Sequence, residues 1–474
     1  MDKDLRNAFR HEFKAARLYY RAGNKAAASH HLERAHILGQ QALWPHLRTH
    51  WWMLKVGFRR GDGREIMGQV VRMGAAVLGW AVGWVPPGNT GGTDVPLLKA
   101  MPIPAEFAHF FEGHNANRHL RRRMAILGSV SLLAAGGFFV HGVWARAGED
   151  LTVVTRFNGQ CLPLAGYQGA EDIVVDREGG VTYAVGGDRR SFRSGGPGRA
   201  KIWALATNDG DSGPPVDIAP PSPAIFRSFG ADLHIDVDGT RRLFVANRPD
   251  DGHTIEVFRV EGGRLLHERT LRSPLLRNPN DVVAIGPDRV LVTLDKDSEA
   301  GTLHELFEGI LELPTGKVLL LGSDDSRIIA TGLRMANGLA LAPDGRTLYV
   351  AELVGRSIVL FDRNPVTNAL ARRRTVPVEM APDNLTVVAD GRVFAAGHPK
   401  LLSLATGYQR TEDRPSPSMV SIYDPSTDAV RTVFSSDGKE IAGSSVAVLE
   451  PSSGRLLIGS SFGPHILSCR LPGL

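Results

Sequence analysis

Only two of the 474 residues are cysteines, Cys161 and Cys469, so neither a cysteine-built zinc module nor a disulfide-dense small scaffold is encoded. No Gly-x-Ser-x-Gly element occurs, which leaves a serine hydrolase without its nucleophile elbow. Glycine-rich runs exist, at Gly186-Gly187 and Gly195-Gly196-Pro197-Gly198. They do not sit between a strand and a helix, so no phosphate cradle is expected. Charge is close to balanced, with 55 Lys+Arg against 50 Asp+Glu, but it is unevenly placed. Residues 1–123 hold 19 Lys/Arg and 9 Asp/Glu, a net +10 against +5 for the whole chain. This basic segment carries its charge along helical patterns and beside an apolar stretch. Lipid headgroups and membrane orientation explain it better than nucleic acid, and no nucleic-acid partner is expected.

What is present is a repeat. Six times a short apolar strand runs into a turn: Val174 to Asp176, His234 to Asp238, Val282 to Asp288, Leu339 to Asp344, Leu385 to Asp390 and Val446 to Ser453. From turn to turn the steps are 62, 50, 56, 46 and 63 residues. Each turn is followed by an apolar run such as Arg242-Leu-Phe-Val-Ala246 or Thr347-Leu-Tyr-Val-Ala351. A period of about 55 residues with several short strands per unit is that of a propeller blade, and six periods predict an all-β six-bladed β-propeller over residues 150–474.

Four of the six strands open with oxygen donors: Glu171-Asp172, Asn280-Asp281, Asn337 and Asp383-Asn384. The first strand of each blade starts near the axis, so these residues converge on the central channel. Carboxylates and amides are hard ligands, and the region has no Cys/His set at zinc spacing; the ion implied is calcium.

From Cys161 to Cys469 the chain resembles the paraoxonase/arylesterase family of six-bladed, calcium-dependent lactonases and esterases. The likeness rests on Gly169-Ala-Glu-Asp-Ile173, Asn280-Asp-Val-Val-Ala-Ile-Gly-Pro287, Ala336-Asn-Gly-Leu-Ala-Leu-Ala-Pro-Asp-Gly345 with Ala351-Glu-Leu353, Asp383-Asn384, Gly397-His-Pro399 and Leu456-Leu-Ile-Gly459. The resemblance implies two Ca2+ sites: a catalytic one on Glu171, Asn280, Asn337, Asp383 and Asn384, and a structural one on Asp172, Asp281 and the main-chain carbonyl of Ala231.

Where the family's animal enzymes carry a histidine dyad, this chain has Phe229 and Arg248. Phenylalanine does not titrate and arginine stays protonated, so neither can serve as a general base. Metal catalysis remains, with a carboxylate beside the ion activating water for attack on a small ester or lactone. Asp383 is the first candidate for that base and Asp295 the second. His234 could be a relocated base or an ordinary strand histidine. His398 matches a family histidine and is expected in the pocket, although Gly-His-Pro also suits a plain turn.

Met124 to Ala145 contains 22 residues without formal charge, enough to cross an apolar core of about 30 Å. Arg121-Arg-Arg123 precedes it, and Trp144 and Arg146 close it, as membrane-flanking residues do. Its depth in the chain argues for an uncleaved single-pass anchor rather than a signal peptide. Basic residues stay cytoplasmic. The expected topology in a bacterial inner membrane is therefore a cytoplasmic N-terminal domain, residues 1–120, and a periplasmic propeller. Cys161 and Cys469 fall at the two ends of the propeller, and in an oxidising compartment they are expected to pair, as the family joins its terminal strands; reduced structural thiols are the alternative.

Residues 5–60 show helical periodicity broken at Gly23-Asn24 and Gly39, which predicts a helical hairpin within a small all-α bundle. The stretch Val70 to Val85, interrupted by Arg72, is expected to be a buried or interfacial helix. The pattern His31-Leu-Glu-Arg-Ala-His36, His46-x-x-x-His50 and Asn89-Thr-Gly-Gly92 resembles a small uncharacterised bacterial domain family, which implies no activity. His46 and His50, at i and i+4, share one helical face and could chelate a transition ion or simply pack.

Overall fold

A computed structural model describes residues 1–112, 120–194, 196, 199–206, 215–250, 252–299, 301–451 and 453–472, with the side chains of 120–123 outside that set. Gly195, Pro197 and Gly198 of the glycine run and the Arg121–Arg123 side chains therefore lie outside the described residues. The chain divides into two compact units, Met1–Val140 and His141–Leu474.

The first unit is helical. Helices α1 (Lys3–Arg21), α2 (Lys25–Gly39), α3 (Leu43–Arg60) and α4 (Gly63–Val82) follow one another through short turns. The carboxylate or amide oxygens of Asp2, Asn24 and Asp62 cap α1, α2 and α4 by accepting a backbone N–H three residues on. Leu5, Phe9, Leu32, Leu38, Met53 and Val56 form the core between α1, α2 and α3. The expected hairpin is α1 with α2. Helix α4 departs from the usual amphipathic rule, because it buries Gln69 and Arg72 while Met67 and Leu78 are 65% and 69% exposed. The reason is local: Gln69 serves a histidine cluster described below, and Arg72 Nη2 donates to the Val95 carbonyl. A short turn α5 (Ala105–Ala108) precedes α6 (Leu120–Arg146). Within α6, Met124–Arg146 is long and apolar enough to cross a membrane, and none of it is buried.

The second unit is a six-bladed propeller, as the repeat predicts. Six antiparallel sheets follow one another, with innermost strands Ala170–Asp176, Ser228–Ile235, Pro279–Gly286, Ala336–Leu341, Ala381–Val387 and Ser444–Glu450. The second strand of each blade, such as Arg241–Asn247 from Leu243 onward or Thr347–Glu352, is buried on both faces because neighbouring blades stack on each side. Hence these strands read as nearly unbroken apolar runs.

The ring closes with chain from the other end. Strand Gln160–Ala165 forms the outer strand of the last blade against His465–Arg470, and Arg156–Phe157 adds a fifth strand to the blade before it. Cys161 and Cys469 stand opposite each other in that closing pair and form a disulfide across a sequence separation of 308.

Candidate active site at the propeller axis

Each innermost strand breaks register just after it begins: between Ala170 and Asp172, Ser228 and Ala231, Pro279 and Val282, Ala336 and Leu339, Pro382 and Leu385, and Ser444 and Val446. Such irregularities re-aim side chains that a regular strand would send to opposite faces. In consequence the residues at the break turn inward, six times around one axis. Two glycines allow the approach. A Cβ on Gly230 would lie 2.1 Å from Asp281 Oδ1, and one on Gly338 would lie 2.5 Å from Asn384 Cα.

The expected ligands of the first cation are brought together. Glu171, Asn280, Asn337 and Asp383 line the floor of a cavity of about 1650 Å³, and Asn384 lies fully buried beside them. Glu171 Oε2, Asn280 Oδ1, Asn337 Oδ1 and Asn384 Oδ1 are all buried without a hydrogen-bond partner among the described residues. A buried acceptor left unpaired costs about 1–3 kcal/mol, so four at one place call for a common partner that only accepts lone pairs. The amide of Asn384 is oriented for this: its Nδ2 donates to the Glu171 carbonyl at 3.1 Å, which turns Oδ1 away. Ser445 Oγ donates to the same carbonyl at 2.8 Å. A hard cation fits this donor set.

Electrostatics say the same. Burial pushes the Glu171 carboxyl up to about 7; Arg189 opposes the rise and Asp383 adds to it. Positive charge at the axis would relieve that repulsion.

The second expected set is also adjacent. Asp172 accepts the Ile173 and Ala231 N–H groups at 2.8 and 2.7 Å, and Asp281 accepts those of Val282 and Leu339 at 2.7 and 2.8 Å. Each aspartate thus ties its own blade to the next. Burial raises both carboxyls well above the usual range, and Glu171 adds to it for Asp172 as Asp172 does for Asp281. Asp232, unremarked in the sequence, repeats the device by accepting Ala284 N–H at 2.8 Å.

Around the floor stand the candidate catalytic groups. His398 Nε2 lies 3.0 Å from Asp383 Oδ2, and both are buried. Asp295 is held differently: Arg248 Nη2 donates to its Oδ2 at 2.8 Å while Arg248 Nε donates to the Pro279 carbonyl at 2.6 Å. The two positions that depart from the dyad make one construction. The Phe229 ring carries the Arg248 guanidinium at 3.9 Å and the Arg189 guanidinium at 4.0 Å, and Arg189 reaches Glu171 at 3.4 Å. Arg189 had no signal in the sequence, since nothing in its neighbourhood marks a partner 40 residues on. His234 lies at the far end of its strand against Asp236, at 3.2 Å, and lines no part of the cavity. It is an ordinary strand histidine.

Residues 198–471 match the arylesterase family. The chain belongs to that family. The match begins after the first innermost strand, so Glu171 and Asp172 precede it. Among curated relatives, human serum paraoxonase/lactonase 3 is 30% identical over 243 residues, covering 50% of this chain and 67% of the relative. Human serum paraoxonase/arylesterase 1 is 28% identical over 309 residues, covering 62% and 84%. Among solved structures, a gluconolactonase from Xanthomonas campestris covers 68% of this chain and 96% of its own at 18% identity, with a TM-score of 0.44. Residues 3–111 match a family described as protein of unknown function (DUF3703).

Proposed function

We propose that this arylesterase-family hydrolase acts on lactones or aryl esters with Ca2+ held at the propeller axis by Glu171, Asn280, Asn337, Asp383 and Asn384. The observation that carries this reading is the set of four buried oxygens without partners among the described residues, three on residues that line the cavity floor and the fourth on Asn384 beside them. Bound there, calcium would polarise the scissile carbonyl and offset the negative charge that develops on its oxygen.

The protein's own groups do the rest. Asp383 takes the proton from water, and His398, donating to its Oδ2, holds the carboxylate in place. Arg248 fixes Asp295 at the cavity wall, where Asp295 Oδ1 is buried without a partner and free to orient a hydroxyl or water. Phe229, Leu276, Met335 and Leu353 provide an apolar wall for the acyl or aryl part of the substrate. Asp172, Asp281 and the Ala231 carbonyl would hold a second, structural calcium between blades.

Helix α6 serves as a single membrane anchor, with residues 1–120 cytoplasmic and the propeller of residues 150–474 in the periplasm. The charge asymmetry and the Cys161–Cys469 disulfide support that topology.

A second reading follows from Phe229 and Arg248, which replace the dyad with groups unable to take a proton: a calcium-stapled binding module without turnover. Calcium content and ester turnover measured on the same sample of Asn337→Ala separate the two. The hydrolase reading expects the calcium needed for half-maximal turnover to rise by about 10-fold or more. A wild-type chain that binds calcium and turns over no substrate leaves the binding module.

A further inference from the structure

In the helical unit, three buried imidazoles bring their ring nitrogens together. His36 comes from α2, and His46 and His50 from one face of α3; all three are at least 96% buried, and their ligating atoms lie within 4.8 Å of one another. His36 Nδ1 lies 2.8 Å from the Asn89 carbonyl, which only accepts, so Nδ1 carries the proton and Nε2 is bare. The Nδ1 atom of His50 lies 2.6 Å from Gln69 Oε1. That amide cannot be reversed, because Gln69 Nε2 already donates to Glu65 Oε1 and to the Gly91 carbonyl, both at 2.8 Å. Hence Nε2 of His50 is bare as well.

These two bare nitrogens face each other at 3.2 Å. Lone pairs so placed repel unless a proton or a cation lies between them. A proton there would put a charge among rings that are at least 96% buried, which burial disfavours. The Nδ1 atom of His46 is itself buried without a hydrogen-bond partner among the described residues.

Two imidazole nitrogens on a tetrahedral ion, with metal–nitrogen bonds of about 2.0–2.1 Å, stand about 3.3 Å apart. We propose that His36, His46 and His50 form a three-histidine site for a borderline divalent cation of the Zn2+ type, with a fourth position left for water or a further ligand. For two of the three ligands, His36 and His50, the nitrogen turned away from the site is fixed by an acceptor, as in a built metal site. Gln69 and Glu65 continue the chain from His50, and Asn89, anchored through Nδ2 to the Lys99 carbonyl at 2.8 Å, serves His36. Gly91, at φ +82°, brings backbone over the His36 ring so closely that a Cβ would lie 2.6 Å from Cδ2. These contacts account for the burial of Gln69 on α4. The donor set is all nitrogen, so it suits a different ion from the oxygen donors at the propeller axis.

The test uses the full-length, tag-free chain in excess calcium, so that the propeller is filled, with zinc titrated against a chromophoric chelator. One zinc per chain is expected, raising the melting temperature of the helical signal. His50→Ala should weaken zinc binding by at least about 100-fold and Gln69→Leu by about 10–100-fold, with ester turnover unchanged in both. In the wild type, Co2+ should give the intense visible absorption of four-coordinate nitrogen ligation. Absence of stoichiometric zinc, or its retention in His50→Ala, overturns the proposal. If the histidine variants lose their helical structure, the wild-type cobalt spectrum decides, and the weak absorption of a six-coordinate ion overturns it.

Discussion

Asp383 Oδ2 and His398 Nε2 are 3.0 Å apart at the cavity floor, on adjacent strands whose register sets Ala381 opposite His398. A carboxylate so placed accepts the imidazole proton, which leaves His398 Nδ1 bare, buried and unpartnered among the described residues. His398 then acts through Asp383 and is a positioning residue. His398→Ala should lower kcat by about 10–100-fold with KM changed by less than about twofold, and His398→Gln, which keeps a donor, should recover part of the loss. Steady-state kinetics in saturating calcium check this; an equal rise in KM with kcat intact would place His398 in substrate binding instead.

Gly338 tests the close approach of blades at the axis. A Cβ there would meet Asn384 Cα at 2.5 Å and the Asp383 carbonyl oxygen at 2.6 Å, and these backbone atoms have little room to retreat. Gly338→Ala should destabilise the propeller by about 2 kcal/mol or more and weaken calcium binding with it, read by denaturant unfolding with and without calcium.

Ring closure is tested through Cys161 and Cys469. Replacing both with serine should cost about 2–5 kcal/mol, measured as a shift in the unfolding midpoint of the propeller, while the helical unit's transition stays in place.

Glu33 gives the helical unit a pH dependence. Burial, with Asp94 and Glu65 adding repulsion, raises its carboxyl from 4.5 to about 7. A folded-state value above the unfolded one means the stabilising contribution is complete below about pH 4.5 and is lost as pH rises toward about 7. Glu33→Gln should therefore raise the stability of this unit at pH 8, on the order of 2 kcal/mol, and leave it unchanged at pH 4. Helical ellipticity followed through thermal unfolding at both pH values reads the difference.

The propeller was legible because the physics that makes it is local. A turn every 46 to 63 residues, centred on Asp in five of the six cases, and an apolar run after it are enough to count blades, and oxygen donors at strand heads place the axis. The register break at each strand head was not legible, since Asn280-Asp281 or Asp383-Asn384 in a regular strand would point to opposite faces. The Arg189–Phe229–Arg248 stack was hidden for another reason: it joins three residues well apart in sequence, one of them on an innermost strand, and a guanidinium reads in sequence as a solvated charge. In the helical unit, α1 and α2 followed the 3.6-residue period. Helix α4 broke it, because Gln69 faces inward to His50 and Arg72 to the Val95 carbonyl rather than to water.

The central claim is a hydrolase whose reaction depends on calcium at the propeller axis. It is tested most directly by turnover of a panel of lactones and aryl esters by the full-length chain as free calcium is raised from chelated to saturating. The account predicts hydrolysis that is absent in chelator, returns with calcium and is lost by a factor of about 100 or more in Asp383→Asn. Turnover that ignores calcium, or a folded, calcium-loaded chain that hydrolyses nothing in the panel, would contradict it.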